Sequence, residues 1–325
     1  MEKKTALDRP LKPSVQLSQL QAQLPELFSD IAAAVIVLKG EKQEFYFNGA
    51  KVNKSSLFEI GSVSKPLFAL LTSQLVNEEV WSINMPVANL LDKQYAHHSY
   101  SLKQLLTHRS GLPRLPSNLK PISIDDPYAN FDSSSLLHAL VAPNNSPGQY
   151  EYSNYGYGLL GWLMSQELNM TQANMVQDYL FKTLNMTDAK LALSGTQHTK
   201  LKGRDYYGDE VPNWHFNSLV GAGGVLASPQ DMASWVSFYW LKSEQNIKLT
   251  EAIALSLSPL NNDMAYAWSL GQNGSYFHGG KTAGFNTMVV FDPKKQIAVI
   301  TMVAGERDAG SIAMTLFEQL QEKDN

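Results

Sequence analysis

The stretch Phe58-Glu59-Ile60-Gly61-Ser62-Val63-Ser64-Lys65 sets a hydroxyl three residues ahead of an amine, and the apolar run Leu67 to Val76 follows it at helical rhythm. Pro66 is tolerated only in the first turn of a helix, which puts a helix start near Ser62. In that frame Ser62 and Lys65 stand at i and i+3, neighbours on one face. A serine hydroxyl is a weak nucleophile until a base takes its proton. A lysine serves as that base once burial or nearby charge holds its amine neutral. The N–H groups of the first turn would supply partial positive charge where an oxyanion forms. The competing reading of the same residues is a plain helix cap, with Ser62 or Ser64 bonding the first turn.

Working outward, Leu57 to Ile60 reads as a short strand feeding that helix. Upstream, Ala34-Val35-Ile36-Val37-Leu38 is a buried strand, Lys39-Gly40-Glu41 a turn, and Glu44 to Asn48 its alternating hairpin partner. Residues 14–34 have an amphipathic helical pattern through Leu17, Leu20, Leu24, Leu27 and Ile31, with Pro25 marking a break or a start. Residues 1–13 read as a polar tail. Downstream, Ser101 caps an apolar pattern that Gly111-Leu112-Pro113 stops, and Leu115 to Asp132 is a Pro-rich loop. Tyr157 to Leu168 and Thr171 to Leu184 read as helices, and Lys200 to Trp214 as a surface loop.

The last third returns to strands at Tyr266–Leu270, Tyr276–His278, Asn286–Phe291 and Ile297–Val303, before a closing helix around Met314–Phe317. Strands at both ends around a helical middle predict an α+β fold of the α/β sandwich type. One antiparallel sheet is built from both termini and flanked by helices, with a mostly helical domain inserted. The expected boundaries are 14–66 plus 218–325 for the sheet domain and 67–217 for the helical one, with an active site in the cleft between them.

Composition narrows the function. The chain has 325 residues, 44% hydrophobic and 17% charged, enough apolar material for a substantial core. A net charge of -4 gives no reason to expect nucleic acid or an anionic membrane surface as partner. No apolar run reaches the roughly 18 residues of a transmembrane helix. Without cysteine there is no disulfide, thiolate nucleophile or thiolate metal site. The basic start at Lys3-Lys4 has no apolar segment behind it, which fits a cytoplasmic protein or one whose secretion signal has been removed.

Two more constellations accompany Ser62. In Gln149-Tyr150-Glu151-Tyr152-Ser153-Asn154, Tyr152 and Asn154 can both face one cleft. There a Tyr152 phenolate favoured by Lys65 acts as general base or acid, and Asn154 holds a substrate amide and the lysine together. In Tyr276-Phe277-His278-Gly279-Gly280-Lys281-Thr282, glycines would let a substrate backbone approach a strand edge, and His278 would add a donor or a charge. Read singly, the first is aromatic packing and the second an ordinary Gly-rich turn.

Taken together and in order, Phe58 to Lys65, Tyr152-Ser153-Asn154 and His278-Gly279-Gly280 resemble the three active-site motifs of class C β-lactamase-like serine hydrolases. That family includes class C β-lactamases, DD-peptidases, D-aminopeptidases and family VIII carboxylesterases. Supporting phrases are similar too: Leu105 to Pro113, Ser146-Pro147-Gly148, Gly221 to Ser228, and Gly284-Phe285 with Phe291-Asp292-Pro293. The resemblance implies a β-lactamase/transpeptidase-like fold, no cofactor and no metal, and a periplasmic or secreted location, with the cytoplasm left open. It further implies that Ser62 is the acylated nucleophile and that Lys65 and Tyr152 carry protons. Asn154 then orients substrate and Lys65, His278, Gly279 and Gly280 line the cleft wall, and the N–H groups of Ser62 and Lys281 form the oxyanion hole.

Departures from the pattern bear on the substrate. Class C β-lactamases usually have Lys-Thr-Gly where this chain has His278-Gly279-Gly280. The family's glutamine after Gly-Leu-Pro falls on Leu115, and its carboxylate-holding asparagine near Ala304, for which Arg307 is a candidate substitute. These count against efficient β-lactamase activity but not against acyl transfer. The expected function is hydrolysis of an amide, β-lactam or ester through an acyl-enzyme on Ser62, in the manner of a DD-peptidase, D-aminopeptidase or weak β-lactamase. The alternatives are a family VIII-like carboxylesterase and a non-catalytic binder of penicillin or peptide. The expected partner is a small-molecule or peptide substrate.

Other motifs carry less. Ser117-Asn118-Leu119-Lys120 repeats the Ser-x-x-Lys spacing in a Pro-flanked loop with no helix to align it. Gly156-Tyr157-Gly158-Leu159-Leu160-Gly161 matches G-x-G-x-x-G without a preceding strand and reads as close helix packing. His97-His98 reads as loop, and no G-x-S-x-G elbow occurs.

Overall fold

The computed structural model describes residues 15–141, 145–196, 198–241 and 247–323, so the tail expected at 1–13 lies outside the described residues. The chain begins with α1 (Leu20–Phe28), the hairpin β1 (Ala33–Lys39) and β2 (Lys42–Asn48), β3 (Phe58–Glu59) and α2 (Ser64–Asn77). Then come α3 (Leu102–Leu106), α4 (Ser133–Ala139), α5 (Asn154–Glu167), α6 (Gln172–Val176) and β4 (Lys190–Leu191). A small hairpin, β5 (Gly203–Arg204) and β6 (Glu210–Val211), precedes α7 (Val220–Gly223), β7 (Val225–Ala227), α8 (Pro229–Ser237) and α9 (Ile247–Ser256). The chain closes with β8 (Ser269–Leu270), β9 (Tyr276–Lys281), β10 (Asn286–Asp292), β11 (Ile297–Val303) and α10 (Ala309–Lys323).

Six strands form one antiparallel sheet in the order β2-β1-β11-β10-β9-β8, the arrangement expected of strands from both termini. β1 and β11 pair in full register, Ile36 opposite Ile300. Val35 and Val37 face α1 and α10, against Leu24, Phe28, Leu316 and Phe317. Ala34, Ile36 and Leu38 face the larger core, which continues through Phe68 on α2 and Trp235 on α8 to Leu105 and Tyr157. A strand covered on both faces must be apolar at every position, which is why β1 shows no alternation.

Several local expectations change. In place of the helix expected over 14–34, the described residues form a 3₁₀ turn at Leu17–Gln19, α1 and the start of β1, and α1 runs through Pro25. Leu20, Leu24 and Phe28 are buried one turn apart, and their packing outweighs the one backbone bond that Pro25 cannot make. The helix read at Thr171 to Leu184 is α6, capped by Thr171, running into a π turn at Gln177–Phe181. The strand expected at Tyr266–Leu270 shortens to β8, because Ala267 adopts a φ of 67°. The stretch read as surface loop up to Trp214 contains the β5–β6 hairpin. The G-x-G-x-x-G phrase lies on and within α5, where a Cβ on Gly158 would come within 2.3 Å of Leu219.

Candidate active site

β3 delivers Ser62. Phe58 and Glu59 pair with Ala227 and Leu226 of β7, and Ile60 N–H donates to Val225 O at 3.2 Å. The chain then makes a 3₁₀ turn, Gly61–Val63, that leads straight into α2. Neither serine caps the helix: α2 has no side-chain cap, and Ser64 Oγ accepts from Val225 N–H at 3.1 Å. Ser62 is left facing the cleft with Lys65 Nζ 3.0 Å from its Oγ.

Lys65 is fully buried, yet each of its contacts is specific. Nζ lies 2.8 Å from Asn154 Oδ1 and 2.5 Å from Ala222 O. A neutral amine has two N–H donors and one lone pair. The two carbonyl oxygens take both donors, so the lone pair is directed at the Ser62 hydroxyl. Burial, and after it the Arg114 charge, push the Lys65 pKa well below that of a free lysine, which favours this amine form.

Ser153 caps α5 by accepting from Gly156 N–H at 2.9 Å, so the helix starts at Asn154 rather than at Tyr157. That cap places Tyr152 just outside the helix and Asn154 in its first turn, both lining the cleft. Burial raises the Tyr152 pKa to about 12, while its hydrogen bond with Ser62 and the nearby Arg114 oppose the rise. The resting group is therefore the phenol and not the phenolate of the sequence reading. His108 stacks on the Tyr152 ring at 4.4 Å between centroids, and its Nδ1 accepts from Ser153 N–H at 3.0 Å.

β9 forms the wall opposite the serine turn, and Gly280 in it serves the protein's own packing. A Cβ on Gly280 would sit 2.0 Å from Ile60 O and 3.0 Å from Ser62 N. Gly61, at a φ of 51°, would likewise collide with Lys281 N at 2.7 Å. Gly279, by contrast, meets nothing closer than Met288 Sδ at 3.5 Å. Two backbones thus lie in contact, with Ser62 N on one and Lys281 N on the other. His278 is buried, and burial above all drives its pKa down to about 3, an effect that a protonated Lys65 would add to, so it brings no charge to the cleft. Its Nδ1 is 2.8 Å from Gly279 O.

The cleft, about 510 Å³, brings together Ser62, Tyr152, Asn154, His278, Gly279, Gly280 and Lys281. It also contains Arg114, Tyr128, Trp214 and Phe277, to none of which the sequence reading gave a role in the site. Trp214 belongs to the stretch read as surface loop. Its backbone N–H donates to buried Glu59 at 3.1 Å, and its carbonyl is 2.9 Å from His198 Nε2. Only Glu59, at a strand position just before the Ser62 turn, hinted at this anchoring. Ala222 contributes a main-chain carbonyl, for which no sequence signature exists.

Arg307 does not substitute for the missing asparagine: its guanidinium bonds Ser29 Oγ at 3.4 Å and lines a separate cavity. Leu115 is on the surface, outside the cleft lining. The Lys281 ammonium is paired with Glu306 at 2.5 Å. Ser117 and Lys120 are both exposed in a loop away from the cleft.

A family model described as Beta-lactamase matches residues 26–320. A protein named beta-lactamase from Providencia stuartii is 24% identical over 333 residues, which cover 87% of this chain and 83% of that protein. Protein flp of Staphylococcus aureus strain MW2 is 22% identical over 82% of this chain, which spans only 57% of flp. Among solved structures, the D-alanine carboxypeptidase AmpC from Burkholderia cenocepacia superposes with a TM-score of 0.78 at 21% identity, covering 94% of this chain and 97% of that one. A class C beta lactamase from Rhodobacter sphaeroides gives 0.77 at 19%, covering 95% and 99%. At these identities the superpositions speak for the fold, and the family model for descent: the chain belongs to the Beta-lactamase family.

Proposed function

We propose that the protein is a serine hydrolase that forms an acyl-enzyme on Ser62. The observation that carries this reading is Ser62 Oγ standing 3.0 Å from a buried lysine whose two donors are already taken by Asn154 and Ala222. Lys65 accepts the Ser62 proton as the hydroxyl attacks the acyl carbon. The N–H groups of Ser62 and Lys281 stabilise the oxyanion. Tyr152, a phenol at rest and hydrogen-bonded to Ser62, donates a proton to the leaving group. For deacylation the same two groups work in reverse on water.

A neutral His278 and a Lys281 tied to Glu306 leave the β9 wall without a free cation. With His278-Gly279-Gly280 standing where class C β-lactamases have Lys-Thr-Gly, this supports a D-amino-acid peptide or amide, or a simple ester, ahead of efficient β-lactam hydrolysis. Intact-protein mass after penicillin exposure tests the chemistry. An adduct on the wild type and none on Ser62→Ala is the expected result. A chain that takes no adduct and turns over no acyl substrate would be a binder. Comparing kcat/KM on a p-nitrophenyl ester, a chromogenic cephalosporin and a D-Ala-D-Ala peptide then tests the substrate, and rapid cephalosporin turnover would reject the reading of the wall.

A further inference from the structure

The geometry points to Arg114 as the residue that selects the substrate, by taking an anionic group that the substrate carries. The inference rests on the hydrolase reading for its kinetics but not for its binding. No residue lining the cleft is an acid. Of its basic residues, Lys281 is paired with Glu306, and Lys65 behind the wall is a buried amine among its three partners. The neighbouring Arg109 is bound to Asp263 at 3.2 Å. Arg114 alone lines the cleft with no ion pair among the described residues.

It is also held in place. Its carbonyl accepts from Asn154 N–H at 2.9 Å and Tyr155 N–H at 3.2 Å, which ties its backbone to the first turn of α5. Its guanidinium lies 5.2 Å from the centroid of the Tyr152 ring, beside the reacting groups. A planar fork of donors, exposed at the edge of the cleft on an anchored backbone, suits a carboxylate, and the rings of Tyr128 and Trp214 bound the space next to it. Anion recognition therefore lies with the segment before α5 and not with the β9 wall.

Two ester pairs test this. p-Nitrophenyl hemisuccinate against p-nitrophenyl butyrate places the charge in the acyl half; 4-carboxyphenyl acetate against its methyl ester places it in the leaving half. In the wild type kcat/KM should favour the anionic member of one pair by about tenfold, as one charge-assisted contact predicts, and less so in high salt. Arg114→Gln should abolish the preference and Arg114→Lys keep part of it. Equal rates within both wild-type pairs, or a preference that survives Arg114→Gln, would overturn the proposal. Calorimetric binding of the same esters to Ser62→Ala, with and without Arg114→Gln, needs no turnover. Tighter anion binding that depends on Arg114, without hydrolysis by the intact protein, would reject the hydrolase and keep the anion site; no such dependence would reject the site.

Discussion

On the proposed mechanism a single proton at Lys65 decides whether the site can start a reaction. The amine must be free, so kcat/KM should rise with pH as Lys65 deprotonates, at a pH well below 10.5. Arg114 helps to depress that pKa, so Arg114→Gln should move the acid limb to higher pH; a limb that stays put would mean burial alone sets it. Stability follows the same proton. In the folded chain the amine is neutral where the unfolded chain carries an ammonium, so the unfolded state binds more protons between the folded pKa and 10.5. Across that window the wild type should gain stability relative to Lys65→Met as pH rises, which urea titrations at several pH values would measure. Gly280 is a second residue with no freedom. Gly280→Ala should separate β9 from the serine turn, cutting kcat/KM on the order of 100-fold and lowering Tm, whereas Gly279→Ala should leave Tm near its wild-type value.

Among the elements, the crossing of α5 and α7 carries more than packing. α7 brings the Ala222 carbonyl to Lys65, and α5 brings Asn154. A Cβ on Gly221 would lie 2.2 Å from Tyr157 O, so the helices touch backbone to backbone. Gly221→Ala should destabilise by about 1–3 kcal/mol through overpacking and should also slow acylation, because the carbonyl moves with its helix. Unchanged acylation with lowered stability would show that the Ala222 contact is dispensable. This crossing also shows what was legible in sequence. The G-x-G-x-x-G phrase announced close helix contact, and Ser101 announced a cap, which Gln104 completes as a capping box in the fold. The end of α1, the π turn after α6 and the shortening of β8 were not legible, since each is set by tertiary packing that overrides local pattern.

The whole molecule separates a stabilising face from a reacting one. α10 covers the side of the sheet away from α2, where Phe317 and Leu316 bury against Val35 and Val37. Phe317→Ala should cost about 3–5 kcal/mol while leaving kcat of the folded fraction intact, as active-site titration alongside thermal unfolding would show. A parallel fall in kcat would mean that the two faces are coupled. By itself the sequence determined that Ser62 and Lys65 share a face, because Pro66 dates the helix start and helical spacing does the rest. It also determined the apolar strands of both termini, because hydrophobic period is a local property. Only the tertiary structure decided the charges and the walls: an amine at Lys65, a neutral His278, a Lys281 paired with Glu306, an Arg114 with no ion pair among the described residues and a Trp214 anchored by Glu59. Burial and partnership set those states, and both depend on residues that lie far apart along the chain and meet only once it has folded.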